Sequence, residues 1–153
     1  MADTSITSLL IQQHYGSLAA SLEESVAEGK ATRIILAADG TSPSEELAFR
    51  VGLQALGLPE AAQKEILDFD PSGKRIEDVL PSYEKNGQLA RVMLYNAVLV
   101  AAVDGFGDAE RAQFRRAGEM LGVPLDVVSA IEDLVLMEKA VTNLRHSLLK
   151  ARS

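Results

Sequence analysis

Residues 37–45 read Ala-Ala-Asp-Gly-Thr-Ser-Pro-Ser-Glu, and residues 102–110 read Ala-Val-Asp-Gly-Phe-Gly-Asp-Ala-Glu. The two stretches lie 65 residues apart, and their alignment extends without a gap over residues 30–70 and 95–135. Across that window 11 of 41 positions are identical. They are Ala37, Asp39, Gly40, Glu45, Phe49, Arg50, Leu56, Gly57, Pro59, Ile66 and Asp68, paired with Ala102, Asp104, Gly105, Glu110, Phe114, Arg115, Leu121, Gly122, Pro124, Ile131 and Asp133. Asp-Gly, Glu, Phe-Arg and Leu-Gly-x-Pro all hold one register, which marks an internal duplication.

Each copy reads as helix, turn, helix, turn, helix. An apolar run comes first, Ile34 to Ala38 in copy one and Val98 to Val103 in copy two. Asp-Gly stops it, because glycine readily adopts the left-handed backbone that closes helix C-termini. In copy one Ser42 can cap the next helix, Pro43 suits its first position and Glu45 stands where a capping box places its acid. Leu47, Val51, Ala55 and Leu56 follow at helical spacing. Leu-Gly-Leu-Pro and Leu-Gly-Val-Pro end it, with Pro59 and Pro124 opening the third helix. Copy two keeps Glu110 but has Gly107 in place of Ser42, a weaker cap.

Outside the repeat, residues 4–28 read as one or two helices with Ile6, Leu9, Leu10, Leu18, Leu22 and Val26 on an apolar side. Asp70 to Gly73 is turn-rich, and Ile76 to Leu80 is a short amphipathic piece before Pro81. Gln88 to Val103 is apolar almost all round and should be the central helix. Asp126 to Lys150 carries Val127, Ile131, Leu134, Val141, Leu144 and Leu148 as a long closing helix. No strand alternation is visible. The fold class is therefore all-α: one domain over residues 1–153, a compact bundle of about seven helices, with two pseudo-symmetric helix–Asp-Gly–helix units. Phe49 and Phe114 are the expected core aromatics.

Composition agrees with close packing through small side chains: 47% of residues are apolar but only 5% aromatic. There is no cysteine, which excludes disulfides, thiolate metal sites and cysteine nucleophiles. The start shows no secretory pattern, and the longest apolar stretch, Val92 to Val103, is too short to span a bilayer. The expected location is the cytoplasm, without membrane insertion. A net charge of −7 disfavours nucleic acid and favours cations or basic patches on other proteins. It also weighs against a helix-turn-helix built on Arg50 or Arg115-Arg116. Arg145, His146, Lys150 and Arg152 read as cations ending a helix.

The acidic turns invite tests against known metal sites. An EF-hand loop with Gly40 at position six would put Ile35 and Ala37 at ligand positions one and three, and Gly105 would put Val100 and Ala102 there, so the template fails. A di-iron Glu-x-x-His pattern also fails, since Ile11 and Asn143 precede His14 and His146 by three residues. Both histidines read as surface residues, and no nucleophile–base pair or phosphate loop is legible, so no enzyme is expected. What remains is Asp39, Glu45, Asp104 and Glu110. If the turns meet at the pseudo-axis, these carboxylates could hold a hard divalent cation, calcium, manganese or magnesium. The plain alternative is that they terminate and cap helices with no ion.

The motif Ala-Ala-Asp-Gly-x-Ser-x-x-Glu, a helix, then Leu-Gly-Leu-Pro, with its second occurrence, resembles the tellurite-resistance TerB-like family. The resemblance covers roughly residues 5–150. It implies a duplicated all-helical fold and a bacterial cytoplasmic protein linked to stress or tellurite response, with metal held by Asp39, Glu45, Asp104 and Glu110. Two features depart from the pattern: Gly107 replaces the motif serine, and Thr41 and Phe106 follow Asp-Gly where a further acid would strengthen an ion site. The resemblance thus suggests a non-catalytic module that binds a divalent cation. The alternative is a metal-free acidic scaffold for protein partners.

Overall fold

Ser21 opens the first described helix by a reciprocal cap: its hydroxyl accepts from the Glu24 amide at 3.1 Å, and its own amide donates to Glu24 Oε2 at 2.7 Å. In the computed structural model, which describes residues 20–80 and 85–150, this helix is α1 (Leu22–Leu36). It is followed by α2 (Pro43–Ala55), α3 (Glu60–Leu67), a 3-10 turn (Ile76–Asp78), α4 (Gln88–Ala101), α5 (Asp108–Met120) and α6 (Leu125–Leu149). Among the described residues there is no strand, and six α-helices plus the 3-10 turn stand against the seven helices expected. Residues 1–19, with the apolar side expected on Ile6, Leu9, Leu10 and Leu18, lie outside the described residues, as does His14.

The duplication is visible in the element bounds themselves. α2 and α5 begin and end 65 residues apart, as do the starts of α3 and α6. Their boundaries share backbone geometry as well. Gly57 and Gly122 have φ of 67° and 66°, in the left-handed region that favours glycine, and Pro59 and Pro124 precede the third helices with φ of −53° and −57°. Packing exchanges partners between copies: α1 lies on α5, α4 lies on α2, and α1 and α4 meet at the centre. Each copy thereby places the start of its second helix close to the other copy.

The core has two parts. The larger is centred on α4, where Ala90, Met93, Leu94, Ala97 and Val98 pack with Phe114, Ala117, Leu121, Val128, Val135 and Ile76. The smaller joins Leu36, Phe49, Leu53, Ile66 and Ala101. Both expected aromatics, Phe49 and Phe114, are buried.

Three expectations are corrected. First, α1 runs unbroken from Leu22 to Leu36, joining a stretch the sequence divides at about residue 28. Gly29 does not break it; a Cβ there would stand 2.8 Å from Ile66, so the glycine lets α3 approach. Second, α2 buries Glu45, Phe49 and Leu53, while Leu47, Val51, Ala55 and Leu56 are exposed. The helix carries apolar residues on more than one side, and contact with α4 selects the side with the aromatic. Third, on α6 the side chains of Leu134, Val141, Leu144 and Leu148 are exposed. At about 1.5 Å per residue a 25-residue helix outreaches partners of 13 or 14 residues, so its second half overshoots the bundle.

A candidate carboxylate site between the two copies

Glu45 and Glu110 occupy the third position of α2 and α5, and each turns its carboxylate back over its helix start. Glu45 Oε2 accepts from the Ser42 amide at 2.7 Å, and the Ser42 hydroxyl accepts from the Glu45 amide at 3.1 Å, a complete capping box. Glu110 Oε2 accepts from the Gly107 amide at 2.8 Å, and the other half of the box is missing because Gly107 has no hydroxyl. An ordinary capping glutamate sits in water. These two do not: Glu45 is 3% exposed and Glu110 2%.

The burial arises because the partner exchange between copies brings the two helix starts together. Glu110 faces the Glu45 carboxyl and feels the charges of both Glu45 and Asp39. Burial first, and then the neighbouring Glu45 and Asp39 carboxyls, push Glu110 up to about 7, against the opposing pull of the Gly107 amide. Its second oxygen, Oε1, is buried without a hydrogen-bond partner. Two carboxylates side by side contain no donor, so a proton or a cation is needed between them.

Asp39 reaches the site from copy one's turn. It lies against the start of α5 closely enough that a Cβ on Gly107 would be 2.5 Å from its Oδ2. This accounts for the glycine at 107: the serine of copy one would displace the aspartate. The sequence marks Gly107 as a weak cap but does not show what occupies the space.

Of the four carboxylates expected to meet, Asp39, Glu45 and Glu110 are brought together. Asp39 and Asp104 are both exposed, but Asp104 is not among the charges acting on Glu110. Among the described residues no group of three or more His, Cys, Asp or Glu side chains is arranged to hold a metal ion. On the copy-two side Phe106 meets Phe114 edge-on at 5.9 Å and the Arg111 guanidinium lies 5.1 Å from the Phe106 ring. Arg111 itself is engaged by Glu132 at 2.7 Å and Asp108 at 3.2 Å. Arg50 pairs with Glu46, and Arg116 with Glu77, so two of the three arginines considered for a helix-turn-helix serve ion pairs. His146 is exposed near the end of α6. No described helix is long and apolar enough to cross a membrane.

No family model and no curated protein matches the chain. Among solved structures, a tellurite resistance protein from Nostoc punctiforme matches with a TM-score of 0.73 and 23% identity, over 96% of this chain and 94% of that one. The fold is TerB-like, as the duplicated motif implied.

Proposed function

We propose that this chain is a non-catalytic TerB-like module that takes up a hard divalent cation at the Glu45–Glu110 pair, with Asp39 at its mouth. The observation that carries the proposal is the buried Glu110 carboxyl beside that of Glu45, with its second oxygen unpaired. A cation bound there would replace the shared proton and remove the repulsion. Two carboxylates suit an ion that keeps part of its water shell, as magnesium does, and a movement of Asp39 would add a third oxygen for calcium or manganese. Zinc should bind less well, since neither cysteine nor a near histidine is at hand. The resemblance supports a setting in bacterial cytoplasmic stress or tellurite response.

Calorimetric titration and thermal melts with magnesium, manganese and calcium test this. Melting should rise with ion concentration, because the ion binds the folded state. Glu110→Gln and Glu45→Gln should abolish the rise, Asp39→Asn should weaken it, and Asp104→Asn should leave it intact. Melts indifferent to millimolar ion would defeat the proposal. They would favour the second reading, a metal-free acidic scaffold for basic protein partners. That reading is supported by the net charge of −7 and by the absence, among the described residues, of three acidic or histidine side chains arranged to hold an ion.

A further inference from the structure

The second half of α6 carries Leu134, Met137, Val141, Leu144 and Leu148 at spacings of three, four, three and four. Those are the a and d positions of two successive heptads, the pattern of a helix that pairs with another helix. All five side chains are between 46% and 72% exposed. The other side of α6 already faces the bundle through Val128, Glu132 and Val135. Leu134, Met137 and Val141 line a groove together with Leu99 and Val103, which are themselves 43% and 40% exposed. Single exposed apolar residues are ordinary, but a contiguous stripe in heptad register marks an interaction surface.

The charges beside the stripe identify its occupant. In this register Glu138 and Arg145 take the e positions, and Asp133, Ala140 and Ser147 the g positions. Two parallel copies would set Asp133 beside the partner's Glu138, acid on acid, and would leave Arg145 beside the partner's Ala140. Two antiparallel copies answer both charges. With Val141 opposite the partner's Leu144 and Met137 opposite the partner's Leu148, Glu138 falls beside the partner's Arg145, and the two-fold axis repeats that pair. We propose that this face of α6 docks on the same face of a second copy, antiparallel and in that register.

The rest of the geometry fits this pairing. Tyr95 donates to Glu138 Oε2 at 2.6 Å, which fixes the carboxylate at the edge of the groove. The partner's Leu148 and Leu149 come level with Met137, where Leu99 and Val103 extend the apolar surface. The two bundles lie at opposite ends of the helix pair and do not compete for space. Two copies of the stripe together offer on the order of 1,000 Å² of exposed apolar surface, the size at which an interface becomes specific. Two heptads would be marginal as free peptides, but the bundle already holds α6 as a helix, so little ordering is left for association.

Sedimentation equilibrium of the full chain should show reversible dimers, and a chain that stays monomeric at millimolar concentration would overturn the proposal. Leu144→Glu should raise the dissociation constant roughly tenfold or more, with the helical circular dichroism unchanged because the residue is 60% exposed. Arg145→Glu should also weaken the dimer, since it would face the partner's Glu138; an unaltered constant would overturn the charge pairing. The chain has no cysteine, so Met137→Cys and Leu148→Cys report orientation. Oxidised separately, the two variants should stay uncrosslinked, and mixed they should form a disulfide-linked pair. Crosslinking of either variant alone would make the helices parallel and overturn the arrangement. A chain monomeric by itself that binds phosphatidylglycerol vesicles, and loses them with Leu144→Glu, would assign the stripe to a membrane surface instead.

Discussion

Copy one and copy two share the left-handed turns at Gly57 and Gly122 and their third-position glutamates, yet they differ in what covers them. In copy two the second helix lies under Ile76, Val79 and Leu80 and joins a continuous core. In copy one the equivalent helix shows Leu47, Val51 and Leu56 to the outside, beside a groove lined by Glu28 of α1 and Asn96 of α4. A repeated motif thus fixes local geometry without fixing energetic weight. The weight comes from the non-repeated segments laid over it.

The sharpest test of this asymmetry uses the paired aromatics. Phe114→Ala should cost the upper part of the usual 3–5 kcal/mol range, because the ring sits in the larger core and also loses its edge contact with Phe106. Phe49→Ala should cost less, since its cluster is smaller and borders the groove. Chemical denaturation of both variants measures the gap. Equal losses would mean the two cores are energetically alike.

A matched leucine pair refines the comparison. Leu121→Ala should cost about 2–5 kcal/mol, as a buried truncation does. Leu56→Ala should cost less, because Leu56 is 46% exposed. Denaturation midpoints of the two variants measure the difference. Equal losses would mean that Leu56 is packed as tightly as Leu121.

Much of this was legible in the sequence because it depends on local backbone chemistry. Gly57, Gly122, Pro59, Pro124 and the Ser42–Glu45 box announce helix boundaries whatever the helices touch. The buried side of α2 was not legible. Leu47, Val51, Ala55 and Leu56 make as good a helical stripe as Glu45, Phe49 and Leu53, and only the partner helix decides between them. At the candidate site the sequence named the acids that meet, Asp39, Glu45 and Glu110, but it also included Asp104. Repetition carries no information about which member of a pair reaches across to the other copy. The reach of Asp39 to Gly107 was hidden for the same reason, being a contact between copies.

The two glutamates also sharpen the comparison through pH. Glu110 titrates near 7 in the folded protein against an ordinary 4.5. Between those values the folded chain still holds a proton that the unfolded chain has released. Stability should therefore fall as pH rises from about 4.5 to 7, each unit being worth at most about 1.4 kcal/mol before solvent screening. Glu110→Gln should flatten that fall, and so should bound magnesium or manganese if the ion replaces the proton. Denaturation at pH 5 and pH 8, with and without ion, measures it. An unchanged slope in the Gln variant would place the titration elsewhere.

The smallest effect concerns the cap that differs between the copies. Ser42→Ala should cost about 1 kcal/mol, because it removes the acceptor for the Glu45 amide. By capping preference alone, Gly107→Ser should gain a few tenths of a kcal/mol. The structure works against that gain, because a Cβ at 107 would press on Asp39 Oδ2 at 2.5 Å and Asp39 would have to swing away. Gly107→Ser should therefore gain less than capping predicts in the native chain and show its full gain in an Asp39→Ala background. Denaturation midpoints of the single and double variants give the coupling directly. If Gly107→Ser has the same effect with and without Asp39, the aspartate does not lie over the start of α5. The candidate site would then reduce to the Glu45–Glu110 pair, and Asp39→Asn should leave any ion affinity unchanged.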